Sequence, residues 1–193
     1  MYQTTLVSDR GVLFVAIGEI TNEHQLNTEQ LLEIVTNLSS NIKALQLFDG
    51  SKIVDSNHLL SASQNAINAW HGGYAQSRSL SVEIAVFASG QHQIGRALSL
   101  VGVSDDLPSV AVVIIAEGKN EIKRVLDALI NDIGKQCEHE FPPDLERFEN
   151  IMELFGIGKS EVNVFGDLEN PGDFQAALSK CVVSRISSVA FDI

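Results

Sequence analysis

Hydrophobic positions change their period several times along the chain, and each change marks an element. Val12 to Ile17 is a continuous apolar run following Asp9-Arg10-Gly11 and predicts a first strand. Leu31, Leu32, Ile34, Val35 and Leu38 then recur at helical spacing, with Asn27 as N-cap and Gln30 as its capping-box partner. Ala44 to Phe48, closed by Asp49-Gly50, predicts a short strand. A second helix starts after Ser56 or Asn57, carries Leu59, Leu60, Ala66, Ile67 and Trp70 on its core side, and stops at Gly72-Gly73.

In the middle, Leu80, Val82, Ile84, Val86 and Ala88 alternate with Ser81 and Glu83, which predicts a third strand over Leu80 to Ala88 with Ser89-Gly90 as its turn. Gln93 to Val101 reads as a short helix stopped by Gly102. Ser109 to Ala116 reads as a strand apolar on both sides, hence central, and Lys119 to Ile133 as a helix ending at Gly134. The last third is helical: Leu145, Phe148, Ile151, Met152 and Phe155 follow Pro142-Pro143, and a final helix capped by Asp173 follows the break at Asn170-Pro171-Gly172. The expected fold class is α+β, one domain spanning 1–193. It has a mixed, mostly antiparallel sheet of about four strands, helices covering mainly one face, and a helical C-terminal third.

Charge narrows the functions open to this fold. The chain has 193 residues and a formal net charge of −12, which excludes a general electrostatic nucleic-acid binder and disfavours anionic membrane surfaces. The acid is uneven: residues 1–100 carry a net −3 and residues 101–193 a net −9. Glu138 to Asp173 alone holds ten acids against Arg147 and Lys159; a solvated face or a surface for a basic partner would each account for it. Apolar runs such as Val110 to Ala116 are of strand length, far below the ~20 residues of a membrane helix. Two cysteines, Cys137 and Cys181, make no disulfide framework, and the cytoplasm is the default location.

The motifs that carry chemistry are fragmentary. Gly156-Ile157-Gly158-Lys159-Ser160 resembles the tail of a phosphate loop, but Glu153 stands where its first glycine belongs and a helix precedes it. Ser89 lies between two elements as in a nucleophile elbow, with Phe87 and Gln91 in place of both glycines. Cys137 and His139 lack further metal ligands at usable spacing. No paired carboxylates, catalytic triad, metal site or cofactor motif emerges, so the chain reads as a binding protein rather than an enzyme.

Arg78 to Ile94, reading Arg-Ser-Leu-Ser-Val-Glu-Ile-Ala-Val-Phe-Ala-Ser-Gly-Gln-His-Gln-Ile, is followed by Ala97-Leu98 and Val101-Gly102. This stretch resembles the TPRKB-like family, the kinase-binding accessory subunits of the KEOPS complex, in which a strand reading roughly Glu-Ile is followed by Ala-Ser-Gly-x-x-Gln-Ile and a short helix ending near a Gly. The upstream helix His58-Leu59-Leu60-Ser61-Ala62-Ser63-Gln64-Asn65-Ala66 fits the family's His-x-Leu-x-Ala-x-x-x-Ala pattern loosely. The likeness covers about 55–117; toward both ends it rests on the order of elements. It implies a non-catalytic adaptor without cofactor. Its partner would be the complex's small atypical kinase/ATPase and, through it, the threonylcarbamoyl-transferase subunit that makes N6-threonylcarbamoyladenosine at position 37 of tRNA. It also implies a grip on the single-stranded 3′ CCA end of tRNA.

On that reading the last helix supplies the kinase contact, through Leu178, Cys181, Val182, Arg185 and Ile186, although the same stripe could equally pack on its own domain. The RNA end falls to His58, Arg78, Ser89, Gly90, Gln91, His92, Gln93 and Arg96, with Trp70, Tyr74 and Phe87 the nearby aromatic platforms. So few cations imply weak tRNA affinity for the chain alone. Two other readings stand beside it: a kinase regulator acting by protein contact without RNA, and a small hydrolase or transferase using Ser89 with His58 or His92.

Overall fold

Val110 to Ala116 are buried without exception, so the strand that contains them must lie between two layers. The computed structural model describes residues 1–8 and 10–189. Within them a four-stranded, wholly antiparallel sheet is built from β1 (Tyr2–Ser8), β2 (Gly11–Thr21), β3 (Ala44–Asp49) and β4 (Ser109–Ala116), in the order β1-β2-β4-β3. Phe14 stands opposite Ala116 and Thr21 opposite Ser109, while Ala44 to Asp49 run against Ile115 to Val110. The helices are α1 (Thr28–Leu38), α2 (Ser56–Gly72), α3 (Leu80–Ser89), α4 (Ile94–Val101), α5 (Lys119–Ile133), α6 (Leu145–Phe155), α7 (Lys159–Val162) and α8 (Pro171–Ser188).

Strand periodicity divides the core in two. Val15, Ile17, Ala44, Phe48, Ala111, Val113 and Ile115 point to one face and meet the apolar sides of α2, α3, α6 and α8. Ala16, Ile20, Leu45, Leu47, Val110, Val112 and Ile114 point to the other and meet Leu31 of α1 and Ile122, Val125, Leu129 and Ile133 of α5. Both faces are therefore covered, where one was expected. The physical reason is legible in β2 and β3 as well as β4: their residues are apolar in both phases of the pleat, which requires a layer on each side.

Two elements differ in type or number from expectation. Leu80 to Ala88 is helix, not strand. Residues 83–89 are all buried, and Ala85 and Phe87 interrupt the polar phase, so the segment is apolar all round. Such a segment has no informative period, and a helix enclosed by neighbours accepts it as readily as a central strand. Ser81 Oγ accepts a hydrogen bond from the Leu45 N–H at 3.2 Å, which fixes α3 against β3. The fourth strand is instead β1, whose Gln, Thr and Ser positions hide its strand character; it pairs with β2 from Tyr2 opposite Ile17 to Ser8 opposite Gly11.

Local chemistry sets most helix ends. The Asn27 side chain accepts from the Gln30 N–H while the Gln30 side chain accepts from the Asn27 N–H, both at 3.0 Å, the reciprocal box predicted for α1. Asp55 caps α2 and Asp144 caps α6. Helix α8 starts earlier than expected: Asn170, not Asp173, is its cap, and Pro171 occupies the first turn, where a missing N–H does no harm. The acidic belt lies in the 138–144 connection, α6, α7, the 163–170 connection and the start of α8, and its acids are exposed except for the half-buried Glu140 and Glu161.

Candidate functional site

Of the residues singled out in sequence, His58 meets the end of α3, where Ser89 to Gln93 follow, while Arg78 lies on the connection that precedes α3; they divide into an inner and an outer set. His58, in the first turn of α2, is fully buried. Its Nε2–H donates to the Ala88 carbonyl at 2.8 Å and its Nδ1 accepts from the Val54 N–H at 3.5 Å. Its ring stands edge-on to Phe155 of α6, 5.5 Å between centroids. Burial drives its pKa down to about 4, helped by the Arg147 cation and opposed by the Ala88 carbonyl and Asp55. His58 is thus a neutral clamp joining α2, α3 and α6, with no surface for RNA, which corrects its expected role.

Ser89 is also inside. It is buried, and its hydroxyl donates to the Val86 carbonyl at 2.9 Å. It presents nothing to RNA, and the bonds that hold these groups point elsewhere than a Ser–His nucleophile: the Ser89 hydroxyl to Val86, the His58 nitrogens to Ala88 and Val54, and His92 Nδ1 to Gln76. Gly90 ends α3 in the left-handed conformation, φ 66°, with its N–H directed to the Phe87 and Val86 carbonyls. Only a residue without Cβ takes that turn without strain.

The outer set is Arg78, His92, Gln93 and Arg96, all exposed, with Gln91 half-buried beside them. Arg78 lies on the 73–79 connection between α2 and α3; Gln91, His92 and Gln93 form the turn between α3 and α4; Arg96 is in the first turn of α4. Gln76 Nε2 reaches His92 Nδ1 at 3.3 Å and joins the two loops. The aromatic platforms divide in the same way: Phe87 is core, whereas Trp70, expected in the core, is 36% exposed and Tyr74 40% exposed at the end of α2.

Glu83 and Gln76 have no place in the sequence-derived site. Glu83 is completely buried in α3, and its carboxylate accepts from the Gln76 N–H, at 3.2 and 3.1 Å, and from the Ser77 N–H, at 2.8 Å. A lone acid inside an apolar helix-length run was the available signal, since such a group must find donors. Its burial also alters the surface. Between Asp55 and Asp105 Glu83 is the only acidic residue, so 56–104 presents no exposed carboxylate, in a chain of net charge −12.

The five residues expected on the kinase face mostly turn inward. Leu178, Cys181, Val182 and Ile186 are buried against α2, α3 and α6, because the stripe i, i+3, i+4, i+8 is what holds α8 to the domain. Arg185 alone reaches solvent, where it pairs with Glu161 of α7 at 2.8 Å. The outer side of α8 consists of Ala176, Lys180, Ser184 and Ser188, flanked by the half-buried Val183 and Ser187.

A family model described as kinase binding protein CGI-121 matches residues 17–189. The chain belongs to the CGI-121 family. The match runs well beyond the 55–117 stretch: it begins within β2, takes in β3, β4 and all eight helices, and leaves β1 and the first half of β2 outside it. As a CGI-121 protein the chain belongs with kinase-binding proteins, consistent with an adaptor that works through its surfaces. The remaining motifs fit ordinary structural roles. Gly156 is a left-handed helix end, Lys159 pairs with Glu149 at 3.3 Å, and Cys137 Sγ hydrogen-bonds with Thr21 Oγ1 at 3.4 Å. Among the described residues no cluster of three or more His, Cys, Asp or Glu could hold a metal, and no helix is long and apolar enough to cross a membrane.

Proposed function

We propose that this CGI-121 protein is a non-catalytic adaptor of the cytoplasmic KEOPS complex. It docks on the small atypical kinase/ATPase and helps to present the 3′ CCA end of tRNA for N6-threonylcarbamoyladenosine formation at position 37. The observation that carries the RNA part is that 56–104 presents no exposed carboxylate while its Arg78, Arg96, Gln93, Trp70 and Tyr74 are exposed, with Gln91 half-buried. Two arginines neutralise few phosphates, so affinity depends on stacking and on the basic surfaces of the partners. Burial of the inner stripe of α8 leaves kinase docking to its outer side, around Lys180, Val183, Ser184 and Arg185.

The test is co-purification with the cognate kinase, followed by binding of tRNA with and without its 3′ CCA. The complex should prefer the CCA-bearing tRNA, and Arg78→Ala and Arg96→Ala should each weaken binding and lower the salt slope by about one. Ser184→Glu should weaken kinase capture with RNA contacts intact. Equal affinity for the two tRNAs would favour the second reading, regulation of the kinase by protein contact alone, which the net charge of −12 supports.

A further inference from the structure

A buried carboxylate is expensive unless donors reach it, and a helix interior normally avoids one. Glu83 lies wholly inside α3, and the donors it collects are not on its own helix: they are the backbone N–H groups of Gln76 and Ser77, on the 73–79 connection. Hydrogen bonds to an ionised acceptor are the strong kind, and two adjacent amides converging on one carboxylate leave that stretch of backbone little freedom. The Ser77 hydroxyl donates to the Ser79 carbonyl at 2.7 Å and tightens the same loop just before α3 begins. From the pinned loop the Gln76 side chain reaches His92, on the turn that leads into α4. Arg78 stands two residues beyond Gln76, and Gln93 and Arg96 lie just beyond His92.

We propose that Glu83 and Gln76 are positioning residues for the RNA-facing surface. Glu83 holds the 73–79 loop in a single conformation from beneath, and Gln76 sets its separation from the 91–93 turn, so that Arg78 and the Gln91–Arg96 segment engage the same strand. Glu83 touches no RNA; its negative charge is consumed inside the fold while the loop it orders carries a positive charge outside. Binding then requires no ordering of the loop, which is how preorganisation raises affinity. This inference rests on the RNA reading given above.

Glu83→Gln and Gln76→Ala test it in the chain bound to its co-purified kinase, with tRNA carrying or lacking the 3′ CCA as probe; amide exchange is followed on the chain alone. Glu83→Gln removes the negative charge and one of the two acceptor oxygens, leaving a single neutral oxygen for the Gln76 and Ser77 N–H groups and an NH2 beside them. Exchange at Gln76 and Ser77 should accelerate about tenfold or more. CCA-dependent affinity should fall about tenfold with kinase capture retained, and the salt slope should drop by about one, as in Arg78→Ala. A loss of stability alone would not move that slope. The double variant Glu83→Gln/Arg78→Ala should bind no more weakly than Arg78→Ala. Gln76→Ala should weaken CCA-dependent binding severalfold while leaving Ser77 protected, and it decides the matter alone if Glu83→Gln does not fold. Wild-type affinity and salt slope in these variants, with Arg78→Ala impaired, would overturn the positioning role only. Wild-type tRNA binding by Arg78→Ala would overturn the RNA reading and this inference together.

Discussion

Replacing His58 with Gln removes a titrating group from the interior while leaving an amide that can still donate toward the Ala88 carbonyl, and the consequence can be worked out from its surroundings. His58 is fully buried, with a folded-state pKa of about 4 against an ordinary 6.5. Its pKa is depressed on folding, so the unfolded chain takes up the proton first. The contribution to stability is complete above pH ~6.5 and is lost as the pH falls toward ~4. Linkage gives about 2 kcal/mol lost between pH 8 and pH 5, and about 3 kcal/mol over the whole window. Carboxylates titrate in the same acid range, so the informative quantity is the difference between wild type and variant. Urea unfolding should show the wild type losing about 2 kcal/mol more than His58→Gln between pH 8 and pH 5. Parallel stability curves for the two proteins would refute the reasoning, since they would mean that the imidazole charges inside the fold without penalty or that water reaches it.

Five further variants follow from packing, backbone geometry and capping. Leu178→Ala should cost about 2–5 kcal/mol by urea denaturation, because Leu178 is fully buried in the core between α8 and its neighbours, whereas Ser184→Glu on the exposed side should stay within about 0.5 kcal/mol. Gly90→Ala should cost about 1–2 kcal/mol from its left-handed backbone, since the added Cβ would lie an ordinary 3.7 Å from Phe155. Gly134→Ala should cost more: φ is 146° and a Cβ would come within 2.3 Å of the Thr21 carbonyl oxygen, so equal urea midpoints for the two variants would contradict the geometry. Asn27→Ala should lose about 1 kcal/mol in thermal or urea unfolding, through loss of the reciprocal cap of α1.

Much of this protein follows from local rules. The Asn27–Gln30 box, the stripes of α1, α5 and α6 and the doubly apolar Ser109–Ala116 strand are short-range patterns, and each appears in the fold at the expected place. The family, too, is legible in a single stretch, because Glu-Ile, an Ala-Ser-Gly turn and Gln-Ile before a short helix occur there at fixed spacing, even though the segment carrying Glu-Ile reads as strand. Ambiguity enters where a segment is buried on every side. Leu80–Ser89 has no polar face to report its period, so its neighbours decide that it is helix. Strand β1 fails in the opposite way, being too polar in its outward positions to stand out until β2 supplies its pairing.

The candidate site divides along the same line. Composition alone placed the basic residues Arg78 and Arg96 in the less acidic part of the chain, and the exposed polar turn at Gln91–Gln93 could be read from the residues that form it. Which side of a helix faces inward could not, because Leu178, Cys181, Val182 and Ile186 would make as good a docking stripe as a core stripe until something packs on them. His58 and Ser89 are polar residues of the kind that bind ligands, and only the arrival of the Ala88 and Val86 carbonyls makes them structural. The net charge of −12 belongs to the sequence. Only tertiary structure decided that the single acid between Asp55 and Asp105 turns inward, because burying it required backbone donors from a loop that α3 itself does not contain.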